Sequence, residues 1–143
     1  MFVHGGLLPH HVQIGFDAIN AETALWMDRS EPIARKMPSY LRGREALVWS
    51  RHFSQAQNCQ CDLLAEVLAM TNMSRMVVGH TIQEGGITSA CDQKVFRVDV
   101  GLSKGCGDGP LEVLQILNDK DVTVYPKEWG SLGAALAESC IIV

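Results

Sequence analysis

No stretch of this sequence approaches the roughly 20 apolar residues that a membrane-spanning helix needs. Its N-terminus also lacks the basic, apolar, small-residue succession of a secretory signal. The expectation is a soluble intracellular protein, cytoplasmic by default, with organellar targeting left open because a transit peptide would lie ahead of residue 1. Positive charge is sparse: 12 Lys and Arg stand against 16 Asp and Glu, a formal charge of −4. Scattered basic residues offer no stripe for a phosphate backbone, so no nucleic-acid partner is expected. Repeats and low-complexity tracts are missing, and so is zinc-ribbon spacing. Of five cysteines, Cys59 and Cys61 form a C-x-C, while Cys91, Cys106 and Cys140 stand alone. In a reducing compartment these read as free thiols, with Cys59, Cys61, Cys91 and Cys106 small and buried or half-buried.

What is present is one domain's worth of material. The 143 residues are 47% hydrophobic and 20% charged, inside the globular range and outside the disordered, collagenous and coiled-coil classes. Apolar residues at helical spacing predict a helix over about 12–28, stopped by Ser30-Glu31-Pro32, and a second over 58–70 with Leu63, Leu64, Val67 and Leu68 on one side. Between them, residues 40–54 carry arginines and aromatics without a period and read as a surface loop. Residues 74–80 read as a short buried strand ending at His80. Three further strands, 95–100, 111–117 and 122–125, are separated by short turns and predict an antiparallel segment. Trp129 to Ser139 reads as a short helix or a tail.

Two histidines stand where a strand gives way to a glycine-bearing turn: Val3-His4-Gly5-Gly6 and Val78-Gly79-His80-Thr81. An imidazole at a strand's C-terminal edge can point into a cleft, and neutral imidazole is a common metal ligand. A hydrogen-bonded structural histidine would look the same at either position taken singly.

Several strings in order extend this pattern: Phe2-Val3-His4-Gly5-Gly6-Leu7-Leu8-Pro9, Val48-Trp49-Ser50-Arg51, Val77-Val78-Gly79-His80-Thr81-Ile82, then residues 95–103 and 109–116. Together they resemble the C-terminal half of a PPP-type serine/threonine metallophosphatase of the calcineurin-like superfamily, nearest to its Shewanella-like branch. The resemblance implies an α+β fold, the C-terminal portion of a metallophosphoesterase β-sandwich flanked by helices. A partial domain would occupy residues 1–117, with 118–143 an extension or tail. It also implies a phosphoprotein substrate and two divalent ions, Mn, Fe or Zn, about 3.5–4 Å apart, which activate water for attack on a phosphate ester. His4 and His80 are implied as ligands of the second metal, and Arg51 as the guanidinium that grips phosphate.

The family's GDxHG, GDxxDRG and GNHE motifs do not occur in these 143 residues. Two imidazoles alone leave a first-row ion mostly hydrated, so the expectation is a fragment of a phosphatase without activity by itself. The alternatives are a pseudophosphatase or binding module that pairs through an open sheet edge, and a phosphoesterase acting on small molecules.

Other positions admit two readings each. Asp99 could orient His80 or face solvent on its strand. His52, Tyr40, Arg42 and Arg44 could shape a groove around Arg51 or be solvated loop residues. His10 and His11 would start the first helix. Cys140-Ile141-Ile142-Val143 has the outline of a prenylation box, but Val is an unusual last residue and no polybasic run precedes it, so no stable membrane association is expected.

Overall fold

Met76, Val77 and Val78 are apolar in succession and all buried, the mark of a strand covered on both faces. A computed structural model of the chain, describing residues 1–28, 36–126 and 140–142, places this strand at the centre. The order is β1 (Phe2–Val3), α1 (Pro9–Ile14), α2 (Phe16–Asp28), α3 (Cys61–Thr71), β2 (Met76–Val78), β3 (Thr88–Ala90), β4 (Val95–Arg97), β5 (Glu112–Leu117), β6 (Asp121–Pro126) and β7 (Cys140–Ile142). Four strands form one mixed sheet in the order β1-β2-β4-β3, with β1, β2 and β4 parallel and β3 antiparallel to β4. Three form an antiparallel sheet in the order β6-β5-β7.

Because successive strand residues point to opposite faces, the mixed sheet feeds two clusters. Met76, Val78 and Val95 pack with Leu7, Ile19, Phe53, Leu64, Val67 and Leu68 beneath the helices. On the other face Val77 and Phe96 meet Leu114 of β5, with Ile116 and Val122 packed against them. The protein is therefore α+β, with helices on one face of the mixed sheet and the second sheet's residues on the other.

The structure corrects the sequence reading in several places. The predicted antiparallel run breaks after its first strand: β4 joins the other sheet, parallel to β2, and only β5 and β6 form the expected hairpin. The first helix starts earlier, at Pro9, and is interrupted at Gly15, whose φ of +90° suits glycine. The segment 40–54 is not a surface loop, since Tyr40, Leu41, Ala46, Leu47, Ser50, Phe53 and Ser54 are buried. Finally, Cys61 and Cys91 are not free thiols but a disulfide, joining the first residue of α3 to the turn after β3. Closing a loop of 30 residues restricts the unfolded chain by roughly 3–4 kcal/mol on the chain-entropy account. In that turn Cys91, Asp92 and Gln93 all have positive φ, between 53° and 59°, a conformation unfavourable for side chains by about 1 kcal/mol or more per residue. Cys106 is exposed rather than buried, and Cys59 is half-buried. Trp129 to Ser139 lies outside the described residues, while the backbone of Cys140–Ile142 pairs with β5.

Candidate metal and phosphate site

The Gly-Gly pair after His4 lets two chain segments approach at backbone distance. The N–H groups of Gly5 and Gly6 both donate to the Leu47 carbonyl, at 2.8 and 3.1 Å. A Cβ at Gly5 would lie 2.8 Å from that oxygen and 2.9 Å from the Ser50 nitrogen, so only glycine fits. The segment Trp49-Ser50-Arg51 is thereby held against the end of β1.

Parallel pairing supplies the second half of the arrangement. Val3 is in register with Val78, so the chain leaves β1 and β2 at the same edge of the sheet, and Gly79 N–H donates to His4 O at 2.8 Å. The two imidazoles come to rest with ring centroids 5.1 Å apart. His80 has φ of +64°, a left-handed conformation that costs a non-glycine residue on the order of 1 kcal/mol.

The Trp49 ring stands edge-on to His80 at 5.2 Å. His80 Nε2 is buried without a protein partner. Burial first, then the charges of Arg51 and His4, push the His80 pKa below the ordinary imidazole value, opposed by Asp99 and by the Trp49 backbone. A neutral ring with an unshared buried nitrogen is the form that binds a metal. Asp99 is half-buried beside the pair, its Oδ1 accepting from Gly101 N–H at 3.1 Å, rather than on an open solvent face.

Arg51 is exposed and held from behind. Its Nη1 donates to Thr81 Oγ1 at 2.7 Å, and that hydroxyl is also bonded to Ser54 Oγ at 2.6 Å. The buried Gln83 amide donates to the Thr81 and Ser54 carbonyls and accepts from the Thr88 hydroxyl. Beneath them the buried Arg97 donates to the carbonyls of Phe53 and Gln55. The sequence reading missed this brace, because Ser, Thr and Gln scattered over 34 positions carry no periodic signal.

Arg51 and His80 line an open cleft of about 1260 Å³ with Arg44, Trp49, His52 and Cys59. His52 and Arg44 therefore share the groove, and His52 Nε2 lies 4.0 Å from Glu45. Tyr40 does not: it is buried, its hydroxyl donating to Ile19 O at 3.2 Å. Arg42 turns back to the Met37 carbonyl and is not among the cleft-lining residues. His10 and His11 fall in α1 as expected. His11 is wholly buried, with Nδ1 accepting from Leu8 N–H at 3.1 Å, and burial, then neighbouring His10, lowers its pKa to about 4.

The three residues singled out in the sequence thus converge on one edge: a neutral imidazole with a spare nitrogen, a second imidazole beside it, and a braced guanidinium facing a cleft. Such a set can share an ion and hold an anion. No helix among the described residues is long and apolar enough to cross a membrane.

No protein-family profile matches the chain. It is 43% identical over 127 residues to Shewanella-like protein phosphatase 2 of Arabidopsis thaliana, covering 87% of this chain and 32% of that protein. It is 32% identical over 132 residues to an uncharacterized protein of Schizosaccharomyces pombe, covering 86% and 38%. To Shewanella-like protein phosphatase 1 of Plasmodium berghei it is 28% identical over 109 residues, covering 72% and 30%. The chain spans about a third of the length of these curated relatives. Among solved structures, a cold-active protein-tyrosine phosphatase of a psychrophilic Shewanella species superposes with a TM-score of 0.56 at 20% identity. That match covers 86% of this chain and 39% of the other, a likeness of fold alone.

Proposed function

Because the chain is a relative of the Shewanella-like protein phosphatases over 87% of its length, we propose that it carries one edge of a metal-dependent phosphomonoesterase site. His4 and His80 would hold a divalent ion, Mn, Fe or Zn, and Arg51 would bind the phosphate of a phosphoprotein substrate. The observation that carries this reading is the pairing of His4 with His80 at 5.1 Å, with the spare nitrogen of His80 buried and unpartnered. When bound, a pair of such ions supplies a nucleophilic water and neutralises phosphate charge. The chain's own residues do the rest. His80 is kept neutral by burial and by the charges of Arg51 and His4 and is positioned by its left-handed backbone against the Trp49 ring, while Arg51 is preset by Thr81 to meet phosphate oxygens two at a time. Trp49, 58% exposed, walls the cleft on which the substrate segment would lie.

The two sheets, meeting through Val77, Phe96 and Leu114, support reading them as part of a metallophosphoesterase β-sandwich. The GDxHG, GDxxDRG and GNHE motifs that would provide the remaining ligands are not in these 143 residues. This chain alone is therefore inactive on our reading and represents part of a phosphatase. A second reading, a non-catalytic module pairing through its sheet edge, is favoured by β1, an outermost strand whose Phe2 is 59% exposed. A sedimentation profile of a well-behaved monomer would argue against it.

The experiment is imidazole NMR with substoichiometric Mn²⁺. Broadening strongest at His4 and His80, and falling off with distance at His52, His10 and His11, is expected. Uniform broadening of all five, or none, overturns the assignment.

A further inference from the structure

Outside the histidine edge, three sulfurs gather around Cys59, a residue that lines the cleft. Cys59 Sγ lies 3.4 Å from Cys91 Sγ, Cys61 Sγ is bonded to Cys91, and the three lie within 4.8 Å of one another. We propose that Cys59, Cys61 and Cys91 form a redox-gated site for a soft divalent metal, Zn²⁺ in the first instance: closed while the Cys61–Cys91 disulfide stands, open when it is reduced.

The geometry favours a metal over simple storage of thiols. Zinc binds thiolates at about 2.3 Å, which places tetrahedral ligand sulfurs about 3.8 Å apart. The Cys59–Cys91 separation is already close to that, and only Cys61 must swing away from Cys91 after reduction. Cys61 is the first residue of α3 and exposed, so it has room to rotate, and the helix N-terminus favours its thiolate. Cys59 is fixed from both sides, its thiol near the Phe53 carbonyl and its carbonyl accepting from Cys61 N–H at 3.1 Å. It also lines the cleft, which leaves the fourth coordination position to water or to a ligand arriving there. Three thiolates with no carboxylate select a soft ion such as zinc over magnesium or calcium.

The gate balances as follows. A dithiol reductant gives two electrons and two protons to the Cys61–Cys91 bond, which breaks to two thiols while the reductant becomes its own disulfide. Zn²⁺ then displaces the protons of three thiols, releasing three H⁺. In the reverse direction the disulfide form of that dithiol accepts two electrons and two protons and becomes the dithiol again, the Cys61 and Cys91 thiolates join as the disulfide, and the ion leaves as Cys59 regains its proton. None of these residues is His4, His80 or Arg51, so the inference stands independently of the proposed phosphatase role.

Cobalt reports on it directly. The full 143-residue chain, oxidised or reduced by a dithiol that is then removed anaerobically, is titrated with Co²⁺ and followed in the near ultraviolet. There thiolate-to-cobalt charge transfer absorbs intensely and imidazole ligation does not. The reduced chain should develop the band to one equivalent and lose it on adding Zn²⁺, and the oxidised chain should develop none. Cys59→Ser and Cys61→Ser should each weaken binding about tenfold or more, whereas Cys106→Ser should leave it unchanged. A reduced chain of native circular dichroism without the band, or a band undiminished by Cys59→Ser, overturns the proposal. Should reduction itself unfold the chain, recovery of the native dichroism with one equivalent of Zn²⁺ supports the site and failure to recover overturns it.

Discussion

The guanidinium of Arg51 donates to the hydroxyl of Thr81 across 2.7 Å, so the residue just after His80 steers the arginine that faces the same cleft. Thr81→Val removes this acceptor while keeping the side chain's shape. For the Mn²⁺-loaded chain titrated with inorganic phosphate by NMR, we expect affinity to fall about three- to tenfold, the scale of an ordinary solvent-exposed hydrogen bond. Arg51→Ala should cost more. Equal affinity in Thr81→Val and wild type would remove the positioning role.

Gly5→Ala should destabilise the fold by about 2 kcal/mol or more, because the new methyl meets backbone on two sides at under 3 Å and neither partner can move alone. Gly85, with nothing within 4 Å of a Cβ, serves as the control. Gly85→Ala should lie within about 0.5 kcal/mol of wild type or be slightly stabilising. Urea denaturation measures both.

Stability should fall with acid through His11. The folded protein holds this ring neutral down to about pH 4, while the unfolded chain takes up the proton near 6.5, so between these values the unfolded state binds more protons. The contribution is complete above about pH 6.5 and is lost as pH drops toward 4, on the order of 3 kcal/mol in all. Protonation would also turn the nitrogen that accepts from Leu8 N–H into a donor. Thermal melts at pH 7 and pH 5 should differ markedly less in His11→Gln than in wild type.

With Mn²⁺ present, the chain alone should hydrolyse p-nitrophenyl phosphate no faster than the metal in buffer. Turnover that His80→Ala abolishes would show that the chain works without the GDxHG, GDxxDRG and GNHE motifs.

The site's key residues were more legible than the architecture around them. His4, His80 and Arg51 sit in short strings whose chemistry is local to the string, and glycines beside both histidines announce close backbone approach. Sheet membership is different. Residues 96–100 alternate apolar and polar as a half-solvated strand would, yet Val95, Phe96 and Arg97 are all buried, because Arg97 donates to the carbonyls of Phe53 and Gln55. The short connections from 95–100 to 111–117 and 122–125 suggested one antiparallel run, and that reading assigned β4 to the wrong sheet, since it pairs parallel with β2. The burial of residues 40–54 was hidden for a related reason: Tyr40, Leu41, Leu47 and Phe53 pack inward from turns, which have no period to betray them. The Cys61–Cys91 bond depended on a turn of three left-handed residues, a conformation that Cys-Asp-Gln does not advertise.

Parallel pairing of β1 with β2 also sets when the histidine edge can come into being. Residues at the start of β1 meet partners more than seventy positions away, as in the Met1–Arg75 hydrogen bond with a separation of 74 residues, whereas the β5–β6 hairpin closes locally. Contacts of such long sequence separation are won late in folding, after the entropy of a large loop has been surrendered. A partly unfolded full-length chain would thus display the hairpin before its two imidazoles meet, and metal binding at that edge should report on completion of folding.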